Sequence, residues 1–440
     1  MIRYIRFVII LFLFTATALG VKAQSTATTS SPYSRYGIGD INPMLMPQNS
    51  AMGGIGVATN RINGYFSVNP LNPASNAAIG LTVIDIGLYG NFNTLEKSGQ
   101  TSQSNANFRL SHIAFGIPVS KRSAITFGLM PYSELGYNYK QISPNFGTGL
   151  PSDTSAVNYL YSGDGGLSRV FLGYGFGIGS HLSIGGSVSY IFGNLKETQS
   201  TEVPSLPAVL NSRIEESNSI NGFNYDYGIQ YSVDFSQRKH LTFGYSASAN
   251  TKLNTSNSYI VSSYYRTAGG DEGVATDSIV NNQQPSAKIQ LPMINRFGIA
   301  FQNDGKFLIG ADYTMSNWSK LTVAGTNKGL RDSKTFNVGG QFTPNINSLS
   351  NYFASVDYRL GFIYDQTYLN VNSTDIKRYA ATFGVGLPLR ANNTSFYKIN
   401  IGAEVGRRGT LVNSLVKENY VNIRLSFTLN DKWFQKYRFD

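Results

Sequence analysis

The chain has 440 residues, a formal net charge of +11, and only 14% charged residues against 45 Gly, 28 Tyr and 27 Phe. A water-soluble domain of this size carries more charge, and the positive excess is spread without a Lys/Arg run, which excludes a nucleic-acid surface. Cysteine is absent, so disulfides and thiolate metal sites are excluded as well.

Arg3 and Arg6 precede the apolar run 7–14 (FVIILFLF), which fades into Val21-Lys22-Ala23. That order reads as a secretory signal over 1–23. The alternative, a first transmembrane helix, has a short apolar core for a span. Residues 24–77 follow as a polar lead and a Gly/Pro/Asn-rich zone, with AMGGIGVA at 51–58 and NPLNPAS at 69–75, where compact turns are expected. A long stretch of this kind ahead of a barrel predicts a hatch in the lumen; exposure to the periplasm is the bland alternative.

From residue 78 to 430 the pattern becomes short alternating runs. Strands are expected at 79–90, 107–118, 123–139, 167–177, 181–193, 223–234, 240–250, 287–301, 307–317, 334–343, 352–363, 379–388, 396–406 and 419–429. Fourteen is the even number that a bacterial outer-membrane barrel requires. In lipid every backbone N–H and C=O needs a partner, and closure of the sheet removes its edges. The chain is therefore expected to be all-β: a transmembrane antiparallel β-barrel with the N-terminal hatch as its plug and a tail at 431–440.

Particular strands carry the argument. At the end of the chain Val421, Ile423, Leu425, Phe427 and Leu429 share one face, while Asn422, Arg424, Ser426 and Thr428 share the other. Arg424 is costly toward lipid and cheap toward a wet lumen, which fixes the orientation. At 287–301 the residues Ile289, Leu291, Met293, Phe297, Ile299 and Phe301 line up on one face, with Asn295 as the exception. Gly173, Gly175, Gly177, Gly179, Gly185 and Gly186 would permit bending and close packing against a plug. Pro118, Pro131, Pro292 and Pro388 lack a ladder donor, so each marks a strand end, bulge or kink; Met130-Pro131 is a candidate wall kink that opens the barrel sideways. The polar stretches 141–166, 194–222 and 251–286 read as long outer loops, with 302–306 and 236–239 as tight turns.

Catalytic chemistry finds little supply. His112, His181 and His240 are the only histidines and read as turn or rim residues. No HExxH or GxSxG motif is present. Neither an enzyme, nor a cofactor, nor a metal site is expected. The intramembrane acid to examine first is Asp312, with Asp85, Asp226, Asp357, Arg109, Arg169, Arg296 and Arg359 as lumen partners, because charges in hydrocarbon would turn inward and pair. Arg35, Asp40, Arg61, Asn69 and Asn72 would complement them from the hatch, and Gly53, Gly54 and Gly56 would allow tight backbone turns. Arg407, Arg408, Lys432, Lys436 and Arg438 read as solvated rim charges, with Trp433, Phe434, Tyr437 and Phe439 as interfacial anchors.

These residues together resemble the FadL/TodX family of outer-membrane transporters of hydrophobic compounds, in the divergent branch of Bacteroidota. Ala51-Met52-Gly53-Gly54 followed by Asn72-Pro73-Ala74 is similar to the family's hatch signature. The stretches 181–195 and 223–245, then Leu291-Pro292 with Phe297-Gly298, Ala311-Asp312-Tyr313 and Trp318-Ser319, and the ending from Glu418-Asn419-Tyr420 to Lys432-Trp433-Phe434 follow in order. The resemblance implies fourteen strands, a hatch of roughly forty residues, and passive movement of a hydrophobic ligand through the wall of the bacterial outer membrane, among its lipid and lipopolysaccharide. In the family an apolar outer patch captures the ligand first, whereas this chain offers only scattered Leu150, Val157, Leu160, Val203, Leu206 and Leu210. The alternative is a structural or assembly subunit of an outer-membrane protein-export or barrel-insertion complex, with membrane or periplasmic protein partners.

Overall fold

Alternating side chains set the two faces of every wall strand. The computed structural model describes residues 29–60, 65–147, 155–204, 209–267, 272–323, 325–348, 350–389 and 395–432. The signal at 1–23, Arg61, Leu150, Leu206, and the tail from Trp433 onward with Phe434, Lys436, Tyr437, Arg438 and Phe439 lie outside them. In chain order the strands are β1 Asp40–Ile41, β2 Thr82–Lys97, β3 Gln103–Ser120, β4 Ser123–Pro144, β5 Ala156–Ile178, β6 Leu182–Glu202, β7 Asn211–Asp234, β8 Lys239–Ser248, β9 Lys252–Arg266, β10 Glu272–Gln290, β11 Ile294–Asn303, β12 Phe307–Ser316, β13 Thr322–Val323, β14 Thr326–Asn327, β15 Ser333–Phe342, β16 Asp357–Val371, β17 Thr374–Leu389, β18 Ser395–Gly409 and β19 Val416–Asp431.

Both β8 and β9 pair with β7, so they form one wall strand; β10 and β11 likewise form one, pairing with β9 and β8. With β1, β13 and β14 set aside as short inner pieces, fourteen antiparallel wall strands are counted among the described residues. Pairing of β19 with β2 over Val416–Asp431 and Thr82–Lys97 closes the ring. The fold is a closed antiparallel β-barrel, and each of the fourteen expected segments falls on one wall strand. Val421, Ile423, Leu425 and Phe427 point outward and are exposed, while Asn422, Ser426 and Thr428 are buried inside, as their alternation predicts.

Three expectations about the wall are corrected. The stretches 141–166, 194–222 and 251–286 are largely strand: β6 runs to Glu202, β7 starts at Asn211, and β9 with β10 fill most of the third. Ser, Thr and Asn on both faces suit a ladder that continues above the apolar band, where neither face needs lipid; the polarity that suggested loops marks strand height. Second, 287–301 is not one uninterrupted face. The chain breaks at Leu291-Pro292-Met293, where proline withholds a donor, and the alternation inverts there: Ile289 and Leu291 are buried inside, whereas Phe297 and Ile299 are exposed outside. Third, the glycines divide. A side chain at Gly175 or Gly185 would strike the backbone at Pro73 or Ala77, but Gly173 and Gly177 face wall side chains, Gly179 sits in a turn, and Gly186 is open.

Residues 29–60 and 65–79 touch strands all round the ring, so they lie inside it. They begin at the end where the strands are long and leave at the end of short turns to enter β2. A 3-10 turn at Pro32–Arg35, one α-helical turn at Pro47–Ser50 and a 3-10 turn at Pro73–Ala78 punctuate the path, each with proline in its first turn, where the missing N–H is not needed.

Candidate functional site

The signature residues dock this inner segment to the wall. Gly53 and Gly54 adopt left-handed φ values of 71° and 82°, the conformation glycine accepts without strain. A side chain on Gly53 would also strike the backbone of Val338 and Phe362. The Gly53 N–H donates to Thr382 Oγ1 at 2.8 Å, and its carbonyl accepts from Asn337 Nδ2. The N–H groups of Gly56 and Val57 donate to Asp312 Oδ2 at 2.7 and 2.9 Å. Asn72 caps the 3-10 turn by accepting from Ala74 N–H at 3.1 Å and donates through Nδ2 to Val57 O at 2.7 Å. Pro73 then lies flat against Gly175 and Gly185. Asn69 ties the same bend through Nδ2 to Gly56 O at 2.8 Å.

The inward charges sort into separate groups rather than one network. Arg169 Nη2 lies 3.6 Å from Asp226 Oδ2, with its guanidinium over the Tyr132 ring and against Met44 Sδ. Asp226 also accepts from Ser248, which accepts from Arg296 at 3.3 Å. Asp312 therefore spends its hydrogen bonds on the inner segment, not on a wall arginine. Toward the short turns, Asp357 Oδ2 pairs with Arg359 Nη2 at 3.1 Å and with Lys398 Nζ at 2.6 Å; Lys398 also lies 3.5 Å from the Tyr65 ring centre. His112, within the expected strand 107–118, is buried in β3 with Nε2 2.9 Å from Asp85 Oδ1. His181 and His240 do flank a turn, where both face Asp234.

Sequence reasoning missed several members. Arg408, expected at the rim, is buried because Asp40 of the inner segment reaches it at 2.7 Å; Arg407 beside it is exposed. Arg424 faces inward as expected and meets Ser50 and, at 3.4 Å, Glu404. Glu404 also bonds Tyr420 OH at 2.9 Å. Alternation would have found Glu404 and Arg408, since they share parity with inward Lys398.

The wall has a seam between β3 and β4. β3 pairs with β2 along most of its length, but its ladder with β4 runs only from Ile113↔Leu129 to Ser120↔Ser123. Above Leu129 come Met130 and Pro131, and the pairing of β4 with β5 slips between Pro131 and Ser133. There β4 bends inward and takes β1 as its neighbour, Asp40 opposite Glu134 and Ile41 opposite Ser133. Side chains bridge the seam where the ladder is missing: Arg109 of β3 pairs with Glu134 of β4 and donates to Asn42 Oδ1 at 2.7 Å. Ser30 donates to Asn107 Oδ1 at 3.2 Å, and Ser34 Oγ accepts from Gly136 N–H at 3.0 Å. Tyr33 OH donates to Val416 O at 2.5 Å; burial, then the Glu418 carboxylate, hold its phenol above its usual range.

Inside, the lumen is filled in layers. An apolar layer at the long-strand end joins Ile38, Leu135, Leu167, Ile191 and Ile289 to Trp318, Leu321 and Leu330 of the connection that folds inward between β12 and β15. Below it a cavity of about 280 Å³ is lined by charged groups including Asp40, Glu134, Arg169, Arg296 and Asp312. A larger cleft of about 970 Å³ lies at the upper seam, between the β2–β3 turn and β4. Of the scattered apolar residues expected near the outer end, Val157 is buried and Leu210 exposed.

Closed wall, inner segment and the seam between β3 and β4 define a filled barrel of the outer-membrane type. The model of the BamG family matches residues 1–440, so the chain belongs to the BamG family. No curated protein matches it. Among solved structures it is similar to the toluene transporter TodX of Pseudomonas putida, at 14% identity over 89% of this chain and 99% of that one, with a TM-score of 0.58. The toluene transporter TbuX of Ralstonia pickettii shows 17% identity over 88% and 98%, with a TM-score of 0.56. A FadL homologue of Pseudomonas aeruginosa shows 14% over 90% and 100%, with a TM-score of 0.55. The resemblance to FadL and TodX therefore holds for the fold, while the family itself is BamG.

Proposed function

We propose that the chain is an outer-membrane barrel for passive uptake of hydrophobic small molecules, released sideways through the seam between β3 and β4. The observation that carries this reading is the missing ladder above Ile113 and Leu129, replaced by the Arg109–Glu134–Asn42 bridge. Side-chain bridges can part and re-form at lower cost than a row of backbone hydrogen bonds placed against lipid. Residues 29–60 and 65–79 act as the hatch: Asp312, Asn72 and the glycines anchor its lower part, Arg408 of β18 holds Asp40, and Arg109 holds Asn42 at the seam. The solved neighbours named as toluene transporters support this class of cargo.

Toluene uptake by cells carrying the chain, against cells lacking it, tests the reading. Faster uptake that disappears when Ser30→Cys and Asn107→Cys are oxidised to a disulfide supports lateral release. Uptake indifferent to that lock rejects it.

A second reading, a fixed subunit of a protein-export or barrel-insertion complex, is favoured by the filled lumen, whose inner cavity of about 280 Å³ is lined by charged groups. A stoichiometric partner retained after gentle extraction from native membranes, with toluene uptake unchanged by the chain, selects this reading.

A further inference from the structure

The cleft of about 970 Å³ at the upper seam has two unlike walls. One is aromatic: Tyr137 and Tyr139 on β4, with Tyr33 and Tyr36 from the inner segment. Tyr139 is braced as a platform, stacked on Tyr161 at 4.9 Å between ring centres and 19° between planes, with Arg35 against both Tyr36 and Tyr139. The other wall is polar: Gln103 and Asn105 of β3 line the cleft beside Glu96 and Lys97 of β2. Asn105 Nδ2 is buried without a hydrogen-bond partner among the described residues, a costly condition for an amide group.

A pure hydrocarbon would leave that amide unpaired, and a site built with hydrogen-bonding groups discriminates against a ligand that lacks them. Flat tyrosine faces opposite the amides of Gln103 and Asn105 suit a ring with an apolar face and a hydroxyl-bearing edge. Immediately outside the seam, β3 presents exposed Phe108 and Leu110, with Phe92 of β2 edge-on to Phe108 at 5.4 Å. A polar cleft therefore sits beside an apolar strip that faces lipid.

We propose that the seam binds an amphiphile: its saccharide-like, hydroxyl-rich head occupies the cleft, stacked on Tyr139 and hydrogen-bonded to Asn105, while its alkyl tail lies on Phe92, Phe108 and Leu110. This deepens the lateral-uptake reading, on which it rests for the tail's way into the membrane.

The test uses the full chain in an amine-oxide detergent, which brings no sugar of its own. Binding of the n-hexyl glycosides of glucose, galactose and N-acetylglucosamine is followed by calorimetry and ligand-observed NMR, with 1-hexanol and the methyl glycosides as the separated halves. At least one hexyl glycoside is expected to bind ten-fold or more tightly than either half. Asn105→Leu and Tyr139→Ala should each weaken it at least ten-fold, and Tyr139→Phe less than three-fold, in protein whose heat-modifiable mobility shows a folded barrel. Hexanol binding as well as every glycoside, or glycoside binding indifferent to Asn105→Leu and Tyr139→Ala, overturns the proposal. A chain that binds glycosides but moves no toluene keeps the head-group site and loses lateral uptake of hydrocarbon; one that moves toluene and ignores glycosides does the reverse.

Discussion

The wall from β15 through β19 to β2 and the wall at β3 and β4 are built from the same alternation, yet they close differently. In the first, ladders run almost the whole strand length, as between β18 and β19 from Ser395↔Asp431 to Gly409↔Lys417. In the second, the ladder stops at Leu129 and side chains carry the rest. Backbone pairing is indifferent to sequence and cannot be undone one residue at a time in lipid; side-chain bridges can. At this seam, side-chain bridges between the strands and from the inner segment stand where backbone bonds run elsewhere.

The largest effect that would sharpen this contrast comes from cross-links in a chain with no native cysteine. The oxidised Ser30→Cys/Asn107→Cys pair should abolish uptake, restored by reductant, while Gly402→Cys/Arg424→Cys, partners in the continuous ladder of β18 and β19, would also disturb the Arg424 bridge and is a poor control. Ile401→Cys/Leu425→Cys, paired on the outer face, should leave uptake intact. Next come the buried charges: Arg408→Ala strips both Asp40, which is 35% exposed, and the buried Glu418 of their positive neighbour, and a buried charge left without its partner costs roughly 3–5 kcal/mol, read as a lower unfolding temperature and faster proteolysis of the upper inner segment. Asp312→Ala should be of similar size but loosen the lower hatch, seen as ion leakage in planar bilayers. Smaller still is Gly185→Ala, whose new methyl would sit 2.5 Å from Pro73 backbone; overpacking of this kind costs about 1–3 kcal/mol. Its neighbour Gly186→Ala, open on the outer side, and the exposed Arg407→Ala should each stay within about 0.5 kcal/mol. Equal effects at Gly185 and Gly186 would break the assignment of inner and outer faces.

The wall was legible in the sequence because period-two alternation is local: Val421 to Phe427 needed no knowledge of their neighbours. Strand height was not, since the stretch 211–222 is polar on both faces and looks like loop until its partners on β6 and β9 are known. The inversion at Pro292 was half visible, as a proline without its consequence. The site was legible as a set of residues, Asp312, Asn72 and the glycines among them, but not as pairings. Nothing local says that Asp40 selects Arg408 from 368 positions away, or that Asp312 answers backbone N–H groups instead of an arginine.

Gly175, Gly185, Gly244, Gly298, Gly339 and Gly361 all meet hatch backbone where a side chain would stand. The inner wall is thus a cast of the lower hatch, and a cast fits one shape. Sliding that part by a single residue would set backbone against side chains and leave the glycine hollows empty, so the lower hatch has no second resting place. Residues 29–42 are held by side chains except at β1 and at Asn42, whose N–H donates to Tyr132 O at 3.0 Å, so this upper edge is fixed less firmly than the cast lower part.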